Sequence, residues 1–133
     1  MNGSFQATAA FPNGLLWLMS EAGKELVIPD IDGVANFWSS HNAWGIAVQH
    51  DVDGEVMVSI SDSPPNDPAL ALLHEGILHS SRRLIEVQTV YIDRIASFHT
   101  GSTEVPLRVW GDDPGQPERV HIQCRTLDGE VGR

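Results

Sequence analysis

Hydrophobic and polar residues alternate most cleanly between Ala43 and Ser61. Trp44, Ile46 and Val48 share one face of an extended chain, with Ala43, Gly45, Ala47 and Gln49 on the other. Beyond Asp53-Gly54, Val56, Val58 and Ile60 share a face opposite Glu55, Met57, Ser59 and Ser61. A period of two on both sides of Asp-Gly predicts a β-hairpin with one dry and one wet side. A two-residue turn would put the two apolar rows on opposite faces. A three-residue loop, Val52-Asp53-Gly54 with Gly54 left-handed, keeps them together and sets Val48 opposite Val58 and Ile46 opposite Ile60.

The same period recurs along the chain. Phe5, Ala7, Ala9 and Phe11 form a first strand, broken by Pro12-Asn13-Gly14. Leu15 to Met19 is apolar on both faces, as expected of a central strand or one covered on both sides. Lys24 to Ile28 reads as a short strand ended by Pro29, and 30–42 as a loop in which one of Phe37 and Trp38 anchors to the core. Pro64-Pro65 predicts a rigid, extended link. Apolar character resumes at Ala69 to Leu73, breaks at Glu75-Gly76 and continues at Ile77-Leu78. Leu84 to Phe98 fits one strand, or two with a bulge; its β-branched content argues against a helix. Val105, Leu107 and Val109 then pair across the GDDPGQPE loop (111–118) with the alternating run Arg119 to Arg125, a second hairpin. Pro106 cannot donate a ladder bond, which places that strand at a local edge or bulge. Leu127 to Arg133 is expected to fray. About eight short strands with little helix predict an all-β fold, an antiparallel β-sandwich or partly open barrel formed by a single domain over 1–133.

Composition narrows the functional classes. A hydrophobic content of 41% with four Trp supports a globular core rather than disorder. Cys124, the one cysteine, excludes an internal disulfide and falls on the face of Val120 and Ile122, a core thiol. No basic leader precedes the first apolar residues, and no apolar run approaches membrane-spanning length, so a cytoplasmic protein is expected. The net charge is −10, concentrated in residues 1–80, where ten carboxylates face Lys24 alone. Such a field opposes nucleic acid and anionic membranes and favours basic partners or cations.

Motifs of known chemistry are largely missing. His74-Glu75-Gly-Ile-Leu-His79 spaces its histidines five apart, not the four that share a helix face, and Gly76 interrupts it. Asp51-Val-Asp53-Gly-Glu55 and Asp30-Ile-Asp32-Gly33 lack the further ligands and distal Glu of a helix-flanked calcium loop. No Gly-x-Ser-x-Gly or phosphate-cradling loop occurs, and Arg82-Arg83 lacks the flanking aromatics of a nucleic-acid site. Neither a metal nor another cofactor is implied. The remaining signal is a set of acidic loops, at Asp30/Asp32, Asp51/Asp53/Glu55, Asp62/Asp67 and Asp112/Asp113/Glu118, with Trp38 and Trp110 nearby as anchors for a basic partner.

Trp44-Gly-Ile-Ala-Val48, followed by a strand-turn-strand with Asp53-Gly-Glu-Val56, resembles the small competence-protein-J type of nuclease inhibitor. It is also similar to a looser set of small acidic bacterial β domains. The Pro64-Pro65 stop, the run Leu72-Leu-His-Glu-Gly-Ile-Leu78 and a strand-turn-strand ending near Leu107-Arg-Val-Trp110 extend the resemblance over roughly 43–110. The GDDPGQPE loop departs from it. The resemblance implies a β-sandwich that binds and blocks a nuclease. The expected function is therefore a non-enzymatic inhibitor or immunity-type protein that engages a basic partner through Asp51, Asp53, Glu55, Asp112, Asp113, Trp38 and Trp110. An alternative is a small β-barrel enzyme or metal-binding protein in which His50, His74, His79 and His121 converge in a pocket. A third reading is a structural module that forms a homodimer through open sheet edges.

Overall fold

In a computed structural model, which describes residues 4–21, 23–33 and 35–132, the chain folds into two five-stranded sheets. Ten strands run in chain order: β1 (Phe5–Ala9), β2 (Leu15–Met19), β3 (Phe37–Ser39), β4 (Ala43–Ala47), β5 (Val56–Ser61), β6 (Ala71–His79), β7 (Leu84–Gln88), β8 (Arg94–His99), β9 (Glu104–Gly111) and β10 (Arg119–Cys124). One sheet has the order β1-β5-β10-β9-β6 and the other β3-β4-β2-β7-β8. Neighbours are antiparallel except β5 and β10. The sheets pack face to face as an open sandwich, and no helix among the described residues is long and apolar enough to cross a membrane.

The alternation around Asp53-Gly54 is correct, but the hairpin is not. β4 pairs with β2 and β3, and β5 pairs with β1 and β10, in different sheets. Val48 donates its N–H to Gly14 O at 2.9 Å rather than facing Val58. Both apolar rows are buried because they enter one core from opposite sides. The connection is an arch with a 3-10 turn at Asp51–Asp53. Gly54 (φ 136°, ψ −173°) takes an extended backbone open only to glycine, not the left-handed helical one.

Other departures have local causes. Lys24 to Ile28 forms no strand: a 3-10 turn at Gly23–Glu25 leads into irregular chain whose backbone is satisfied by side chains. Asn42 accepts from Val27 N–H at 2.9 Å and donates to Glu25 O at 2.6 Å. Phe37 and Trp38 belong to edge strand β3, and Phe37 is the anchor, edge-on to Trp44 at 5.1 Å between ring centroids. β6 runs unbroken through Glu75-Gly76, its irregularity lying between Leu72 and His74. A Cβ on Gly76 would stand 3.2 Å from Trp44 Cζ2, so this glycine makes room for the indole instead of ending the strand. The 84–98 stretch is two strands with a bulge between Val87 and Gln88. Residues 127–132 are tied down rather than frayed: Leu127 is buried and bridges to Thr100, just past β8, and Gly132 bridges to Ser97 within it, while Arg133 lies outside the described residues. Pro106 lies beyond the β10 ladder, which spans Leu107 to Gly111, and so needs no donor there.

β5 and β6 are parallel members of one sheet separated by β10 and β9, so residues 62–70 must cross the sheet. This strap passes over the outer face, and Pro64-Pro65 stiffen it.

Candidate functional site

The parallel pairing decides which loops meet. Arg119 lies beside Met57 and Gln123 beside Ser61, so the segments leading into β5 and β10 emerge at one end of the sandwich. Gln49 N–H donates to Pro117 O at 3.0 Å and Met57 N–H to Glu118 O at 2.8 Å. Ala47 N–H bonds Asn36 O at 3.0 Å, drawing the start of β3 to the same end. Asp51, Asp53, Glu55, Asp112, Asp113 and Glu118 are thereby brought together, and Arg119 is the only Lys or Arg in 49–57 and 111–119.

Their carboxylates play two roles. Asp112 Oδ1 accepts the Glu118 and Arg119 N–H groups at 2.9 and 3.2 Å, and its Oδ2 lies 3.4 Å from Arg119 Nε. Asp113 Oδ2 accepts from Gly115 and Gln116 N–H at 3.2 and 2.8 Å. Both side chains satisfy loop amides that the β9–β10 turn would leave unpaired. Asp51 Oδ1 lies 2.6 Å from His50 Nδ1. Asp53, Glu55 and Glu118, by contrast, are exposed and have no side-chain partner among the described residues. They point a net negative field outward, since Arg119 is already engaged by Asp67 and Asp112.

Asp32, Asp62 and Asp67, in the remaining acidic loops, do not add to this cluster as free charge. Asp67 is paired with Arg119, and Asp62 follows the opposite end of β5. Asp32 Oδ1 is occupied by Ala35 N–H at 2.9 Å and the Trp38 indole N–H at 3.4 Å. Trp110 stands on the outer face of β9, immediately before the acidic loop, and donates to Gln123 Oε1 at 3.2 Å. Trp38 lies in the other sheet.

Beneath the strap, the outer face of the β1-β5-β10 sheet carries a groove of about 730 Å³. Register places Gln6, Ser59, His121 and Trp110 in one row across four strands. His121 is buried at its floor, with 6% of its surface exposed. Its Nδ1 lies 2.7 Å from Ser59 Oγ, and its Nε2 lies 2.8 Å from Ser63 O and 3.3 Å from Ser61 Oγ. Burial pushes the imidazole pKa below the usual histidine value, although the Ser63 carbonyl opposes this by favouring the charged ring.

On the opposite sheet, Trp17 and Met19 of β2 form the floor of an apolar hollow of about 540 Å³ walled by Leu26, Ile28, Val90 and Ile92. This hollow is why β2 is apolar on both faces. Glu21 sits at its margin. Burial works to raise the Glu21 pKa, but the Ser81 hydroxyl and amide, with Arg82 and His79, together hold the carboxyl below its usual value.

The four candidate histidines are dispersed, and the sheets do not close into a barrel. His50 is in the acidic arch, and His121 lies under the strap. His74 stacks on Phe37 at 4.2 Å between centroids, where burial lowers its pKa. His79 contacts Glu104 on the outer face at 2.7 Å. Among the described residues, no three His, Cys, Asp or Glu side chains form a metal-binding group. Cys124 is a core thiol, pushed up in pKa by burial.

No protein-family model, curated protein or solved structure matches this chain. Ser59, Ser61 and Arg119 were not among the candidate site residues singled out from the sequence, and Asp67 was singled out only as an acidic-loop charge, not as the partner of Arg119. The available signal was the pair of polar rows, Met57/Ser59/Ser61 and Arg119/His121/Gln123, which the parallel pairing lays side by side.

Proposed function

We propose that this protein is a binding domain whose acidic end occupies a basic surface on a protein partner, in the manner of an inhibitor or immunity protein. A single observation carries the reading: parallel pairing of β5 and β10 gathers two acidic loops at one end, with their one arginine already paired. Asp53, Glu55 and Glu118 make the charged contacts, Asp51 adds to the field, and Trp110 supplies an apolar anchor beside it. Asp112 and Asp113 hold the loop in shape and act on the partner only through that shape. The partner is a protein with clustered Arg and Lys; the cleft of a nuclease, which must itself attract phosphates, has that chemistry.

Because exposed charges steer encounter more than they hold the complex, association should slow as salt rises. The test is capture of binding proteins from lysate of the native cells at low salt, on the wild type and on D53N/E55Q/E118Q in parallel. A basic protein retained stoichiometrically on the wild type and lost from the variant supports the reading. Equal retention on both refutes it.

A further inference from the structure

We propose that Ser59 and His121 form a nucleophile–base pair that hydrolyses small carboxylic esters admitted to the groove beneath the strap. The positions of the protons follow from the hydrogen-bond partners. Ser63 O can only accept, so His121 Nε2, 2.8 Å away, carries the ring proton. Nδ1 is then the lone-pair nitrogen, and the Ser59 hydroxyl at 2.7 Å must donate to it. The serine proton is thus already directed to a base whose tautomer is fixed by a third group, the arrangement required of an activated serine. Burial keeps the imidazole neutral, as a general base must be at the start of the reaction.

The surroundings supply the rest of a site. Ser59 lines the groove, whose walls include Phe5, Pro64, Pro65 and Leu70, and whose volume of about 730 Å³ suits a small ester. Gln6 is the neighbour of Ser59 in the row. Its Nε2 spends one N–H on Met57 Sδ at 2.8 Å, a weak acceptor, and leaves the second for a developing oxyanion. The negative field of the molecule favours esters of neutral or cationic alcohols over anionic ones.

In the reaction, Ser59 Oγ attacks the ester carbonyl carbon while its proton passes to His121 Nδ1, and the carbonyl π electrons move onto oxygen. Collapse of that adduct restores the carbonyl and breaks the bond to the alcohol oxygen, which leaves with the proton from Nδ1. Water then attacks the acyl-serine, giving its proton to Nδ1. The second collapse releases the carboxylic acid and returns the proton to Ser59 Oγ. The balance is ester plus water to acid plus alcohol. Ser63 is a positioning residue: its carbonyl orients the ring and faces the imidazolium that forms.

The same contacts would also arise if His121 only fastened the strap, so the experiment must read nucleophilicity. The full-length protein is treated with a fluorophosphonate probe, and the adduct is mapped by peptide mass. Hydrolysis of p-nitrophenyl butyrate is followed for wild type, S59A and Q6A. The expected result is one adduct, on Ser59, with turnover lost in S59A and kcat lowered at least 10-fold in Q6A with little change in KM. An unlabelled Ser59 in the folded wild type, or S59A turning over at the wild-type rate, overturns the proposal. The labelling result decides even if S59A does not fold.

Discussion

Asp112 and Glu118 are both carboxylates at the acidic end, yet replacing them should have opposite consequences for stability. Asp112 Oδ1 receives two backbone N–H groups, from Glu118 at 2.9 Å and Arg119 at 3.2 Å, and its side chain is only 17% exposed. Bonds of this kind contribute about 1 kcal/mol each, or somewhat more to an ionised acceptor. The Arg119 Nε contact at 3.4 Å adds little, because the arginine is 38% exposed and water screens the pair. Asp112→Ala should therefore destabilise the fold by about 2 kcal/mol. For 133 residues, an unfolding entropy of about 2 cal/mol/K per residue converts this to a fall in Tm of roughly 7 °C. Glu118→Gln removes an exposed, unpartnered charge from a crowded acidic end and should leave Tm unchanged or slightly raised. Differential scanning calorimetry at low ionic strength distinguishes the two. A Tm for Asp112→Ala within 1 °C of wild type would refute the division into scaffold and presented carboxylates, as would an equal loss in Glu118→Gln.

Two further expectations concern stability. Gly54→Ala forces a Cβ onto a backbone at φ 136°, ψ −173°, which should lower stability by about 1–3 kcal/mol in urea unfolding; a change under 0.5 kcal/mol would mean the arch relaxes freely. His74 and His121 both have folded pKa values below the ordinary value of about 6.5, so the unfolded chain takes up protons first as the solution is acidified. The contribution of these two histidines should therefore be full above about pH 7 and decline as pH falls below about 6.5, levelling off once their folded-state values are passed. His121→Gln should flatten part of this decline, and an unchanged pH profile would count against the burial argument.

Which residues face the core was legible from period-two alternation, because burial and pleat impose it whatever the strand's partner. Partner choice was not. An inter-sheet arch and a hairpin carry the same pattern at 44–60, since in both cases Val48 and Val58 point to one core. Nothing local distinguishes them, and the deciding contacts, such as Val48 N–H to Gly14 O, lie far away in sequence. The β9–β10 hairpin was legible because its two strands are joined by one loop. The β5–β10 pairing was not, and both sites depend on it: it gathers the acidic loops and sets Ser59 against His121, 62 residues apart. The acidic residues themselves were readable, but their division into loop-holding and outward-facing groups was not. Asp112 and Asp113 look like the stronger pair in the sequence, and they are the two whose oxygens are turned inward onto amides.

The most direct measurement is the salt-graded capture from native-cell lysate, with the wild-type domain and D53N/E55Q/E118Q side by side and melting curves confirming that both are folded. Binding through the acidic end requires a basic protein that elutes from the wild type as salt rises and is absent from the variant. A partner that survives high salt and binds the folded variant equally well, or the absence of any basic partner, would contradict it.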